Sequence, residues 1–124
     1  KLLATTLAIK DQFPNRFLGS CLELHTFSSL NKDFIDQYEG SFNNSDEAII
    51  YIDPKAATQK GLDQLTENDL RLAFKRNDIL LFNDKAQLEQ YLYNQDWKNK
   101  NLILMSSGNF GGLDLKELKE KTFH

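Results

Sequence analysis

A chain of 124 residues with 40% hydrophobic and 27% charged positions can bury one core, and its composition is far from that of a disordered chain. Its net charge of −3, with lysines and arginines scattered among acids, excludes the clustered basic face of a phosphate-backbone reader, so no nucleic-acid partner is expected. Apolar runs such as Leu102-Ile103-Leu104-Met105 fall well short of the roughly 20 residues that cross a bilayer, and a single cysteine permits no internal disulfide. The reading is therefore no membrane partner and a reducing, cytoplasmic location.

Leu2, Leu3, Thr6, Leu7 and Ala8 recur at helical spacing and predict a helix from Leu2 to Gln12, ended by Pro14. The chain starts at Lys1 inside that pattern, without a capping residue, and reads as a piece of a longer protein. Phe17 to Leu24 predicts a first strand, followed by a polar segment, His25 to Asn31. Asn31 is placed to cap a helix carrying Phe34, Ile35 and Tyr38, which Gly40 closes. Ala48 to Ile52 predicts a second strand running into Asp53-Pro54 and then a polar loop. Thr66 and Asp69 have capping-box spacing and open a helix with Leu70, Leu72, Ala73 and Phe74. Ile79 to Phe82 is the third strand, and Asp84 caps a helix with Leu88, Tyr91 and Leu92. Leu102 to Met105 is the fourth, followed by a glycine-rich turn and a last helix from about Asp114 to Lys121.

Short apolar strands alternating with helices predict an α/β fold over residues 1–124, a three-layer, Rossmann-like, open and mostly parallel sheet with helices on both faces. Ligands of such sheets bind beyond the carboxyl ends of the strands, which selects the loops His25 to Leu30, Asp53 to Lys60, Asn83 to Lys85 and Ser106 to Leu113. The last is the most distinctive. Ser106-Ser107-Gly108-Asn109-Phe110-Gly111-Gly112 joins a buried strand to a helix, and a helix start with free N–H groups suits an anion, although a tight turn alone explains the glycines equally well. In the first loop, His25 with Thr26, Ser28 and Ser29 offers acid–base and hydroxyl groups, and Glu23 needs a partner at the strand end. Cys21 reads as a buried, inert thiol, and no residues have metal-ligand spacing. A nucleophile–base pair and a phosphate-binding Gly-Lys-Ser/Thr loop are also missing, so a stand-alone enzyme is not expected.

At Leu3 to Arg16, at Cys21-Leu22-Glu23-Leu24-His25-Thr26-Phe27-Ser28-Ser29-Leu30 and at Leu102 to Leu113, the sequence resembles the C-terminal domain of the Mur ligase family. Its Met-Ser…Gly-Gly ending is most similar to the branch that attaches a cell-wall tripeptide to UDP-N-acetylmuramate during peptidoglycan recycling. The resemblance implies a three-domain enzyme in which ATP and magnesium are bound mainly by domains outside this chain. The muramyl carboxylate is phosphorylated, and the substrate amine attacks the acyl phosphate. It implies no catalytic residue and no metal ligand here, and a substrate-binding role for Glu23, His25, Thr26, Ser28, Ser106, Ser107, Gly108, Asn109 and Phe110. Family members often have proline and arginine in the first loop, where this chain has Leu24 and Thr26 or Ser29. Alternatives are ligation of L-alanine, a flavodoxin- or receiver-like binding module, and a small nucleotide binder. The last would need its glycine-rich turn after the first strand, not the fourth.

Overall fold

The computed structural model describes every residue except Ser107, Asn109, Phe123 and His124. Five α-helices and four strands occur among the described residues, in the order α1 (Leu2–Gln12), β1 (Phe17–Glu23), β2 (Glu47–Tyr51), α2 (Pro54–Gln59), α3 (Glu67–Phe74), β3 (Leu80–Phe82), α4 (Lys85–Asn94), β4 (Lys100–Met105) and α5 (Leu115–Thr122). The strands form one sheet in the order β3-β2-β1-β4, with every neighbouring pair parallel. The open parallel α/β sheet is the one the sequence predicts.

Alternation along the strands divides the core. Leu22 and Leu24 of the β1 segment and Ile50 and Ile52 of the β2 segment face one layer, where they meet Leu2 of α1, Ala56 of α2, and Leu70, Ala73 and Phe74 of α3. Cys21, Ile49 and Tyr51 face the opposite layer, with Leu88 and Leu92 of α4, Leu118 of α5, Trp97 and Phe110. Cys21 is fully buried, and that burial, with the Glu23 and Glu47 carboxylates nearby, pushes its thiol pKa up. It is the inert core thiol expected from its place in the strand.

Capping is where local sequence speaks most clearly. Thr66 Oγ1 accepts from the Asp69 N–H at 3.1 Å while Asp69 accepts from the Thr66 N–H at 2.8 Å, a complete capping box for α3. Asp84 accepts from the Ala86 and Gln87 N–H groups at the start of α4.

Two expectations are corrected. Asn31 caps no α-helix: its Oδ1 takes the Asp33 N–H at 2.9 Å, a local turn that competes with helix, and the segment keeps only a 3₁₀ turn at Ile35–Tyr38. The stretch after Asp53-Pro54, expected to be loop, is α2. Asp53 caps it by accepting from the Lys55 N–H at 3.0 Å, and Pro54 sits at its first position, where a missing N–H costs nothing.

Candidate functional site

The chain proceeds from β1 to β2 to β3 on one side of β1, then crosses to lay β4 on the other side. The direction of winding therefore reverses between β1 and β4, and the connections at their carboxyl ends diverge and leave a crevice. A cavity of about 260 Å³ opens there. Glu23, His25, Thr26 and Ser29 line it from the β1 side and Met105 and Ser106 from the β4 side; Lys1, Leu2, Tyr38 and Ser41 complete the wall.

Glu23 joins the two loops. It is 5% exposed, and its Oε1 accepts from the Ser106 hydroxyl and, at 3.0 Å, from the Phe110 N–H. The need of this carboxylate for a partner, expected from its strand-end position, is met by the last loop rather than by His25. Gly108 fits against the same carboxylate. A Cβ there would lie 2.8 Å from Glu23 Oε1 and 3.4 Å from His25 Cγ, so a side chain is excluded by lack of space. Gly111 is different. Its φ of +65° favours glycine, and a Cβ would lie 2.7 Å from Tyr51 Oη.

The first loop is closed on itself. The Thr26 N–H donates to Ser29 Oγ at 3.0 Å, the Ser29 N–H donates to Thr26 Oγ1 at 3.2 Å, and the Leu30 N–H donates to the Thr26 carbonyl. This mutual bonding fixes the turn that presents His25, which is exposed at the cavity wall. Ser28 is half-buried and does not line the cavity; Ser29 does. Sequence reading also missed Tyr38 and Ser41. Tyr38 read as part of an apolar helix face, and the 3₁₀ turn instead brings it to the wall.

An anion at a helix start after the glycine-rich turn does not match what is seen. A 3₁₀ turn at Phe110–Gly112 intervenes, and the start of α5 is occupied by Asp114, whose Oδ1 accepts from the Glu117 N–H at 2.9 Å. The Gly108 N–H donates to Ser106 Oγ at 2.7 Å, and Glu23 takes that of Phe110. Ser107 and Asn109, also expected at the site, lie outside the described residues. The carboxyl end of the sheet is acidic instead: burial raises the Tyr51 phenol pKa, and the charges of Asp53, Glu23 and Asp84 add to it. A ligand in the cavity meets hydroxyls, the His25 imidazole, Lys1 and the Glu23 carboxylate.

Among known structures the chain matches a domain from a protein provisionally named UDP-N-acetylmuramate:L-alanyl-gamma-D-glutamyl-meso-diaminopimelate ligase, from Haemophilus ducreyi 35000HP. The match covers 98% of this chain and 81% of the other, with a TM-score of 0.53 and 18% identity. The chain shares the fold of that ligase domain. No protein-family model matches the sequence, and no curated protein does. No helix of the described residues is long and apolar enough to cross a membrane, and among them no group of three His, Cys, Asp or Glu side chains is placed to hold a metal ion.

Proposed function

We propose that this chain is the C-terminal substrate-side domain of an ATP-dependent amide-forming ligase that attaches a cell-wall peptide to UDP-N-acetylmuramate in a bacterial cytoplasm. The observation that carries the reading is the crevice at the β1–β4 reversal. Both of its walls come from the two segments that resemble the Mur ligase family, and Glu23 ties them together. The fold shared with the Haemophilus ducreyi ligase domain supports the same class.

In this reading the domain supplies recognition and closure, and the bond-forming groups belong to other domains. Glu23 sets the distance between the loops, and the Thr26–Ser29 turn holds His25 at the mouth. Ser106, its hydroxyl held by Glu23, forms the facing wall, with Ser107, Gly108, Asn109 and Phe110 following it. His25 contacts the incoming peptide, standing in for the arginine that family members often carry in this loop. ATP and magnesium are assigned to the remainder of the enzyme, because the described residues offer neither a three-ligand metal cluster nor a lysine-bearing phosphate loop.

The test is kinetic, on the full-length protein that contains this chain. Tripeptide and L-alanine are compared as acceptors, and His25→Ala is measured beside the unaltered enzyme. The proposal expects tripeptide-dependent phosphate release from ATP and a KM for peptide raised about tenfold in the variant, the loss of one charge-assisted or polar contact. An unchanged peptide KM would remove His25 from the site. A native protein lacking any Gly-Lys-Ser/Thr segment would overturn the ligase assignment and leave a small α/β binding module.

A further inference from the structure

The sheet order leaves β3 and β4 each with one unpaired side. An open edge is a row of free backbone N–H and C=O groups, which proteins guard with shortness, charge or proline. β3 is guarded by its length of three residues. β4 runs for six, and after Lys100 it reads Asn101-Leu102-Ile103-Leu104-Met105, with neither a charge nor a proline. Every residue of β4 is half-buried, whereas β1 is buried from Leu18 to Glu23. A groove of about 500 Å³ lies along this edge. Ile9 and Phe13, in and just after α1, form one wall, Leu115, Leu118 and Lys119 of α5 the other, and residues 100–104 the floor. The two walls belong to opposite layers of the core. Ile103 packs on the layer of α1, and Leu102 and Leu104 on that of α5, so the groove opens where the layers part, at the free side of β4.

The charge of this groove has one sign. Arg16, Lys100 and Lys119 line it, and no acid does. None of the three has a carboxylate within ion-pair distance among the described residues. Arg16 Nη2 donates to the Lys100 carbonyl at 3.1 Å, and Lys100 Nζ lies 4.8 Å from the centre of the Phe17 ring, which holds two of the cations at the amino end of β4. Asp96 stands outside the groove, in the neighbouring hollow that Arg16 and Lys100 also border, and accepts from the Lys98 N–H at 3.0 Å. The helix dipole accounts for a lysine in the last turn of α5, but not for an unguarded apolar strand beside it. A second copy of β4 would bring a lysine and no acid, so it does not complement the groove.

We infer that the free edge of β4 takes up an extended segment of a partner protein, apolar at alternate positions and acidic where it reaches Arg16, Lys100 and Lys119, and that this segment adds a strand to the sheet. Backbone bonds to β4 supply affinity, the apolar walls take alternate side chains, and the cations hold the acidic end. The groove is separate from the crevice at the carboxyl ends of the strands, and the inference stands independently of the ligase reading. The probes are two short acetylated peptides of alternating valine and threonine, one flanked by glutamates and the other by lysines. Each is titrated into the 124-residue chain by nuclear magnetic resonance at constant ionic strength. The glutamate peptide is expected to give saturable shifts at residues 100–104 and 115–119 and to slow hydrogen exchange of β4 amides that exchange freely without it. The lysine peptide should bind about tenfold more weakly or worse. Lys119→Glu, at an exposed position, should narrow that preference several-fold with an unchanged unfolding midpoint. Equal binding of the two peptides, or shifts away from β4, overturns the inference. So does a dimer of the chain alone with protected β4 amides, which makes a second copy the occupant. Slow exchange of the β4 amides in a longer native protein without peptide also overturns it, and makes the occupant a segment of that protein.

Discussion

Glu23 offers the sharpest way to test whether the two loops of the crevice depend on one carboxylate. In Glu23→Ala the Phe110 N–H, now bonded at 3.0 Å to a side chain that is 5% exposed, loses its acceptor, and the Ser106 hydroxyl loses its own. One buried donor left unpaired costs about 1–3 kcal/mol, and the loss of a second bond to a charged group brings the sum to about 2–4 kcal/mol. Water entering from the adjoining cavity lowers that toward the bottom of the range. Glu23→Gln keeps the shape and an acceptor oxygen but removes the charge, roughly halving the strength of each bond while sparing the cost of burying an ion. Its expected loss is about 1 kcal/mol or less.

Urea unfolding followed by Trp97 fluorescence measures both variants, since Trp97 is buried in the core layer that contains Phe110. For a domain of this size, about 2–3 kcal/mol lowers the melting temperature by roughly 10 °C. A Glu23→Ala chain within about 0.5 kcal/mol of the parent would refute the anchoring role. A Gln variant as damaged as the Ala variant would show instead that the charge, rather than the acceptor geometry, matters.

Three further outcomes follow from neighbouring contacts. Gly19→Ala puts a Cβ 2.9 Å from Trp97 Cη2, and the indole is pinned because its N–H donates to the Leu92 carbonyl at 2.8 Å; a loss of about 1–3 kcal/mol is expected in urea unfolding, and a neutral result would show that Trp97 can shift. The Cys21 thiol, fully buried and pushed up by that burial, should resist iodoacetamide at about pH 8 until the chain unfolds, so rapid alkylation in native buffer would contradict the packing. Acid stability should follow the carboxylates held low in the fold. Asp78 is lowered chiefly by its hydrogen bond from Arg76, and Asp69 chiefly by the Thr66 N–H. A folded pKa below the unfolded value gives stability that is complete above about pH 4 and lost as pH falls through the folded pKa. Asp78→Asn should therefore flatten the acid limb of the urea midpoint against pH, and an unchanged limb would count against the Arg76 contact.

The elements legible in the sequence were those whose signal is local. Thr66 with Asp69 and Asp84 with its two following N–H groups announce helices within four residues, and the strands announce themselves as apolar runs between polar ones. The misreadings at Asn31 and Asp53 have one physical root. A short polar side chain caps a helix or closes an isolated turn with the same bond to the N–H two residues on, and only the packing that follows decides between them. Ala56 and Ala57 bury a continuous face after Asp53, whereas only Ile35 is fully buried in the turn after Asn31.

The site follows the same division. That His25 to Leu30 and Ser106 to Leu113 would stand near a ligand follows from their position after parallel strands. That they face each other depends on strand order, because β1 and β4 are separated by most of the chain and become neighbours only when β4 crosses back over β1. Glu23 shows the consequence. From sequence it is an acid at a strand end in need of a partner, and any nearby cation or amine would serve. Once β4 lies beside β1, the nearest donors are Ser106 and Phe110, from a segment more than 80 residues away, and the carboxylate becomes the hinge between the two walls. The helix start that looked suited to an anion is supplied locally by the Asp114 carboxylate, while the turn before it receives the Glu23 carboxylate only once β4 lies beside β1. The polarity of this crevice is therefore a tertiary property.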